Sequence, residues 1–376
     1  MARQKKYFLL YLKTGGGHFA PAKAIYSYLK GHNPDACNPE LIYGFKKSPD
    51  WIKYAIEDGY RILQAKAKWI FEFLYAINKI KVIAAINCRL VSFFVKNYLK
   101  EIILNEKPDK IIILHFFLLH PVFKILKQNK LSIPVLTIVT DPFTPHPIWF
   151  LHKNQNIIVF SDKLAQKVKR KLNKSTINTF PFVLDEKFSL SLSPEENIEQ
   201  KNKLGFSPDK KILLIMGGGD GIPHGEKILE IVLKVNLNIQ IVIVCGKNVE
   251  LFNQATELKK IYQNSDLTVY GFINFVYELL NISDVIITKC GASTIMEILI
   301  LKKVAIVNDY IWEQEQGNID YLKNNELGIY EPKIKNLPAA VSSLLNEENY
   351  STFKQNISNE KLRNGLKEVC GFILNN

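Results

Sequence analysis

Tyr7-Phe-Leu-Leu-Tyr-Leu-Lys-Thr-Gly-Gly-Gly-His18 runs from an apolar stretch into three glycines and a histidine, and Ala20 to Leu29 follows with helical spacing. A strand that hands over to a helix through glycines lets the backbone approach a ligand closely. It also aims the helix's unpaired N–H groups at that ligand. His18 is the titratable side chain at this mouth, and an imidazole near neutrality can take a proton from a hydroxyl. Alone, the turn reads more readily as a tight connection than as a catalytic element; further glycine-rich strand ends give it weight.

One of these is Lys211-Ile-Leu-Leu-Ile-Met-Gly-Gly-Gly-Asp-Gly221, ahead of a helix from about Glu226. Another is Asp284-Val-Ile-Ile-Thr-Lys289, which continues through Cys290-Gly-Ala-Ser-Thr294 into the helix Ile295 to Lys302. Two such turns in one half of the chain predict a nucleotide pocket at the carboxyl ends of parallel strands. A dinucleotide oxidoreductase fits poorly. Gly217 to Gly225 has no Gly-x-Gly-x-x-Gly register, and the strand Ile239 to Val244 ends in Cys-Gly-Lys instead of an acid for a ribose.

Strand-like runs at Tyr7–Leu12, Lys110–Phe117, Val135–Thr140, Asn156–Phe160 and Thr176–Phe180 alternate with helical patterns, which predicts a parallel α/β domain over residues 1–184. A long helical stretch, 41–104, interrupts it. Residues 185–209 turn polar and read as a linker. A second α/β domain over 210–350 takes strands at Ile212–Met216, Ile239–Val244, Thr268–Tyr270, Val285–Thr288 and Val304–Val307, and 351–376 reads as a helical tail. Two facing Rossmann-like domains with a glycine turn in each predict a ligand in the cleft between them.

With 376 residues and 47% hydrophobic content, the chain can bury two cores. The apolar run after the basic amino terminus is too short for a signal peptide. No run approaches the ~18 unbroken apolar residues of a spanning helix, so a cytosolic, non-integral protein is expected. Cys37, Cys88, Cys245, Cys290 and Cys370 show no paired spacing, which argues against disulfides or a zinc site. His115, His120, His152 and His224 lack ligand spacing and read as structural or surface histidines.

The net charge of +13 is unevenly placed: residues 1–100 hold 17 Lys+Arg against 6 Asp+Glu, a difference of +11. Trp51, Tyr54, Tyr60, Trp69, Phe71, Phe73, Tyr75, Phe93, Phe94 and Tyr98 interleave there with Lys53, Lys66, Lys68, Lys79, Lys81, Arg89 and Lys96. Such a surface suits an anionic membrane, where each nearby cation contributes about 1 kcal/mol. The bland alternative is aromatic helix cores with a solvated lysine face. Nucleic acid is not expected, since no binding module accompanies the charge.

The chain resembles the GT-B glycosyltransferases that include the monogalactosyldiacylglycerol synthases. Four segments carry the likeness: Thr14-Gly-Gly-Gly-His18 with Ala22-Lys-Ala-Ile25; Thr140-Asp141 followed by His146-Pro-Ile-Trp-Phe150; Gly217-Gly-Gly-Asp-Gly221; and Gly271-Phe272 through Ile287-Thr-Lys289-x-Gly291-x-x-Thr294-Ile295-x-Glu297 to Gln314-Glu315-x-Gly317-Asn318. Cys290, Ala292, Ser293 and Asp220 depart from that pattern, as does the spacer Pro142-Phe-Thr-Pro145. A related branch, the N-acetylglucosaminyltransferase that acts on a polyprenyl-linked peptidoglycan precursor, lacks the Gln-Glu-x-Gly-Asn run and comes second, with sterol glycosyltransferases as a further alternative. The UDP-N-acetylglucosamine 2-epimerases share the architecture but have no use for a lipid-facing surface.

The resemblance implies transfer of galactose or glucose from a UDP-sugar to a lipid alcohol, diacylglycerol first, with inversion, by a peripheral enzyme at the cytoplasmic face of the membrane. His18, or Asp141 as the alternative, would be the base, with Gly16, Gly17, His146 and Trp149 on the acceptor side. Gly217, Gly218 and Gly219 with Gly291, Ala292, Ser293 and Thr294 would meet the leaving diphosphate. Phe272 would lie against uracil, Glu297 would hold the ribose, and Lys289 a phosphate. Gln314, Glu315, Gly317 and Asn318 would meet the sugar and diphosphate. With no Asp-x-Asp in the chain, neither a metal nor another cofactor is expected.

Overall fold

The computed structural model describes residues 3–59, 62–63, 67–263 and 266–376. Tyr60 and Lys66 of the basic aromatic stretch lie outside the described residues, as does the side chain of Lys68. The chain forms two compact units, Met1–Glu186 with Asn364–Asn376, and Lys187–Arg363.

The first unit holds strands β1 (Lys5–Tyr11), β2 (Cys37–Tyr43), β3 (Lys110–Ile113), β4 (Val135–Ile138), β5 (Asn156–Val159) and β6 (Thr176–Thr179), in the order β2-β1-β3-β4-β5-β6. The second holds β7 (Ile212–Met216), β8 (Gln240–Val244), β9 (Asp266–Tyr270), β10 (Val285–Lys289), β11 (Ala305–Asp309) and β12 (Gly328–Tyr330), in the order β12-β11-β10-β7-β8-β9. All pairings are parallel. Parallel strands covered on both faces read as continuous apolar runs; Phe8, Leu9 and Leu10, and Ile212 to Ile215, are fully buried accordingly. Strand order reverses between β1 and β3, and again between β7 and β10. In open α/β sheets such reversals place a crevice at the carboxyl ends of the two strands.

Each sheet has one strand more than the sequence reading predicted. The additional strands, β2 and β12, are both at an edge. β2 lies just before and within the stretch read as helical, and its Asn-Pro-Glu core at 38–40 carries weak strand signal, which an edge tolerates.

Neither the predicted linker nor the predicted tail is a separate segment. The helix Pro194–Lys203 belongs to the second unit. It starts with a full capping box, Ser193 against Glu196. The helix Glu347–Asn359 also stays in the second unit, whereas Leu366–Asn375 returns to the first and packs on the helix Gly16–His32. There the buried Lys110 ammonium donates to the Ile373 carbonyl, satisfying an acceptor at the end of that helix.

The helix Lys81–Glu106 is long and apolar enough to cross a membrane by length and composition, although 39% of its most apolar window is buried. Val91, Val95, Tyr98, Leu99 and Ile103 join the core formed by β1, β3 and their neighbours. The helix is therefore tied to the sheet along one face. All five cysteines are buried thiols without disulfides.

Candidate active site

In the first unit, the ends of β1, β3 and β4 bring three polar side chains together. Gly15, at φ 81°, turns the chain after β1, and the helix begins at Gly16 with His18 in its first turn. A side chain at Gly16 or Gly17 would meet only open space, so the backbone there is approachable. The mouth is braced from behind: the Lys13 amide and the Tyr43 hydroxyl both donate to the buried Glu57 carboxylate, each at 2.6 Å.

His18 is 7% exposed, and its Nδ1 lies 2.6 Å from Thr140 Oγ1. Its ring stands edge-on to His115, centroids 4.5 Å apart. Burial pushes the His18 imidazole down from 6.5 to about 4, with the Leu114 carbonyl pulling weakly the other way. A ring so placed is neutral at pH 7 and has a lone pair to offer a hydroxyl proton. His115, read from sequence as structural, is burial-depressed as well, lying well below the ordinary value beside His18. No sequence spacing relates residue 18 to residue 115; adjacency of β1 and β3 does.

Asp141 follows Thr140 and accepts from the Trp149 indole N–H at 3.1 Å. Trp149 is fully buried and His146 nearly so, with His146 Nδ1 accepting from the Ile148 amide. The expectation that these two border an acceptor surface is corrected: a segment packed under Phe116 and Tyr75 supports the mouth from inside.

The basic aromatic region does reach the surface. Trp51, Tyr54, Trp69 and Phe73 are exposed, and Val82, Ile86, Leu90 and Phe93 form an exposed stripe on the helix Lys81–Glu106, opposite its core face. Phe71 and Tyr98, by contrast, are buried. Beside the stripe, a cavity of about 290 Å³ is lined by Cys88, Arg89, Phe116, His120, Ile148 and His152 among others. Phe116 lies at once on this cavity and 6.2 Å from the His18 ring.

In the second unit, β7 ends in Gly217–Gly219 and β10 in Cys290–Thr294, the two strands of the reversal. Gly218 and Gly221 have φ of 84° and 75°, open to glycine but strained for other residues. A Cβ on Gly217 would collide with the Gly221 carbonyl, and one on Gly246, after β8, with that of Gly219. The Lys247 amide donates to the Gly219 carbonyl at 2.8 Å, locking the two turns together. Phe272, after β9, is 65% exposed with the Lys247 ammonium 5.4 Å from its ring centre, so it is no core residue.

The helix Ala292–Ile300 begins directly after Gly291, with Ser293 and Thr294 in its first turn and Glu297 half-buried one turn later. Ser293 Oγ is buried and has no hydrogen-bond partner among the described residues. A buried hydroxyl costs roughly 1–3 kcal/mol when unpaired, so a ligand group here would be favoured. Lys289 Nζ pairs with Glu315 Oε1 at 3.3 Å. Burial lowers the Lys289 ammonium, but Glu315 overrides it, leaving the lysine above its ordinary value.

Glu315 and Asn318, expected to meet the sugar, are both buried and engaged within the protein. Glu315 Oε2 accepts from the Ile311 amide at 2.7 Å, and Asn318 donates to the Cys290 carbonyl at 2.9 Å. They shape the turn from below. Gln314 is half-buried beside them, and Gly317 is buried in the helix Gln316–Asn324.

Residues 18–182 match the family described as monogalactosyldiacylglycerol (MGDG) synthase, and residues 212–369 the glycosyltransferase family 28 C-terminal domain. The chain is 29% identical over 348 residues to "Monogalactosyldiacylglycerol synthase, chloroplastic" of Spinacia oleracea, covering 90% of this chain and 66% of that one. It thus spans about two thirds of the plant relative's length. It is 27% identical over 375 residues to "Processive diacylglycerol beta-glucosyltransferase" of Bacillus pumilus (strain SAFR-032), covering 98% and 94% of the two chains. Among solved structures, the glycosyltransferase from Rickettsia africae ESF-5 superposes with a TM-score of 0.58 at 16% identity over 100% of both chains, a likeness of fold. The chain is thus similar to monogalactosyldiacylglycerol synthases over residues 18–182 and to the glycosyltransferase family 28 C-terminal domain over 212–369, on a fold shared with a solved glycosyltransferase.

Proposed function

We propose that the protein is an inverting hexosyltransferase that moves galactose or glucose from a UDP-sugar to diacylglycerol while bound peripherally at the cytoplasmic face of an anionic membrane. The observation that carries the proposal is the presence, in one unit, of the buried neutral His18 and the exposed stripe Val82, Ile86, Leu90 and Phe93, with Phe116 lining the cavity by that helix and standing 6.2 Å from the His18 ring. A soluble nucleotide-sugar binding protein needs neither.

In this reading the second unit holds the donor. The exposed Phe272 offers a face to uracil, and Glu297 accepts from the ribose. The Gly217–Gly219 amides, the amino terminus of the helix Ala292–Ile300, the unpartnered Ser293 hydroxyl and Lys289 meet the charge that grows on the diphosphate. Those groups take the place of a divalent ion, so catalysis proceeds without bound metal. Gln314 remains the candidate for a sugar hydroxyl.

His18 accepts the acceptor hydroxyl's proton as the oxygen attacks the anomeric carbon from the face opposite the leaving group. Vesicles containing diacylglycerol, incubated with UDP-galactose or UDP-glucose, should yield a glycolipid whose anomeric proton coupling reports the β configuration. An α-linked product would refute the inverting mechanism, and absence of any glycolipid would refute the reaction.

A further inference from the structure

The proposed function assigns His18 a proton but leaves open what holds its ring. In many histidine bases a carboxylate stands against the second ring nitrogen, fixing the ring and stabilising the imidazolium. Here the position is filled by a hydroxyl. Thr140, 3% exposed at the end of β4, places Oγ1 2.6 Å from His18 Nδ1. The neighbouring carboxylate, Asp141, turns an oxygen to the Trp149 indole.

The other side of the ring is equally fixed. His115 Nδ1 accepts from the Phe117 amide at 3.3 Å, so the neutral ring carries its hydrogen on Nε2, which donates to Thr14 Oγ1 at 2.9 Å. Both nitrogens of His115 are thereby used, and its ring forms a neutral wall against His18. Phe116 and Trp149 stand on two further sides, each centred 6.2 Å from the His18 ring, and the Leu114 carbonyl also takes a hydrogen bond from it.

We propose that Thr140 is the positioning residue of the base: its hydroxyl, in place of a carboxylate, sets the His18 ring against the His115–Thr14 pair and directs Nε2 to the acceptor. The inference rests on the reading of His18 as the base. In the step, the acceptor O–H proton passes to Nε2 while Nδ1–H stays on Thr140 Oγ1. The oxygen's electron pair forms the bond to the anomeric carbon, and the bond to the diphosphate breaks with its pair leaving on UDP. His18 then returns the proton to water.

A neutral hydroxyl orients the ring while raising its proton affinity far less than a carboxylate would, and burial holds the imidazole near 4. Three substitutions separate orientation from packing. Thr140→Val keeps the shape and removes the hydroxyl; kcat should fall roughly 10–100-fold with KM for the UDP-sugar unchanged. Thr140→Ser restores the hydroxyl and should recover kcat to within about threefold of the parent. Thr140→Asp creates the missing carboxylate and should move the acid limb of kcat/KM upward by about one pH unit or more.

The same shift should appear in the His18 resonance when the full-length, histidine-labelled protein is titrated by NMR, a readout that needs no turnover. Full kcat in Thr140→Val, or an unmoved His18 titration in Thr140→Asp, overturns the proposal. If the parent protein transfers no hexose, the functional reading fails, and the titration still decides whether Thr140 governs His18.

Discussion

Lys289, at the carboxyl end of β10, and Glu315, just before the helix Gln316–Asn324, meet Nζ to Oε1 at 3.3 Å beneath Gly291. The pair joins two strand ends that are neighbours in the sheet, and it keeps a cation at the mouth where a diphosphate would arrive. The other Glu315 oxygen is fixed by the Ile311 amide, so the carboxylate cannot follow the lysine toward a ligand.

Glu315→Gln should destabilise the protein by about 1–3 kcal/mol in urea titrations, because a partly buried lysine loses its counter-charge. Since Lys289 is raised above 10.5 in the folded state, the pair's contribution is full below pH 10.5 and is lost as pH climbs through the folded value. Equal stability of the two proteins at pH 8 would contradict this account of the pair.

Acid should weaken the fold from about pH 6.5 downward, through the buried histidines. His18 and His152 are lowered from 6.5 to about 4, chiefly by burial, and His115 lies well below its ordinary value. The unfolded chain therefore binds more protons than the folded one between pH 6.5 and about 4, and stability falls as pH drops through that window. Urea midpoints at pH 7.5 and pH 5 measure it; His115→Gln should flatten the slope, and an unchanged slope would show that these rings are not buried neutral.

Gly217→Ala places a methyl against the Gly221 carbonyl, and Gly246→Ala one against that of Gly219. Either should displace the interlocked turns and weaken UDP binding by roughly tenfold or more in calorimetry. Undiminished UDP affinity in both variants would remove these turns from the donor site.

For the exposed stripe, Leu90→Ser with Phe93→Ser should cut cosedimentation with anionic vesicles about tenfold or more while changing folding stability little, since both side chains are already in water. Loss of stability without loss of vesicle binding would mark the stripe as packing surface.

The glycine turns made the two sheets legible, because the φ > 0 positions Gly15 after β1 and Gly218 and Gly221 after β7 stand out as glycines in local sequence. The central strands were visible as apolar runs. β2 and β12 were not, because β2 carries Asn38-Pro39-Glu40 and β12 is only three residues long, whereas the other edge strands, β6 and β9, were read. In the site, His18 and the Gly217–Gly219 turn were identifiable locally. Thr140 and His115 were not, because they meet His18 only through the strand order β1-β3-β4. Trp149 and Asn318 were read as ligand contacts from their place in motifs; whether a motif residue faces a ligand or the core beneath it is decided by packing that no local pattern records.

The most direct test is to incubate the protein with anionic vesicles containing diacylglycerol and, in parallel, radiolabelled UDP-galactose, UDP-glucose and UDP-N-acetylglucosamine, then count the lipid extract. The account predicts label from a hexose donor in a diacylglycerol glycolipid, abolished by His18→Ala. Label from UDP-N-acetylglucosamine alone, or from no donor, would contradict it.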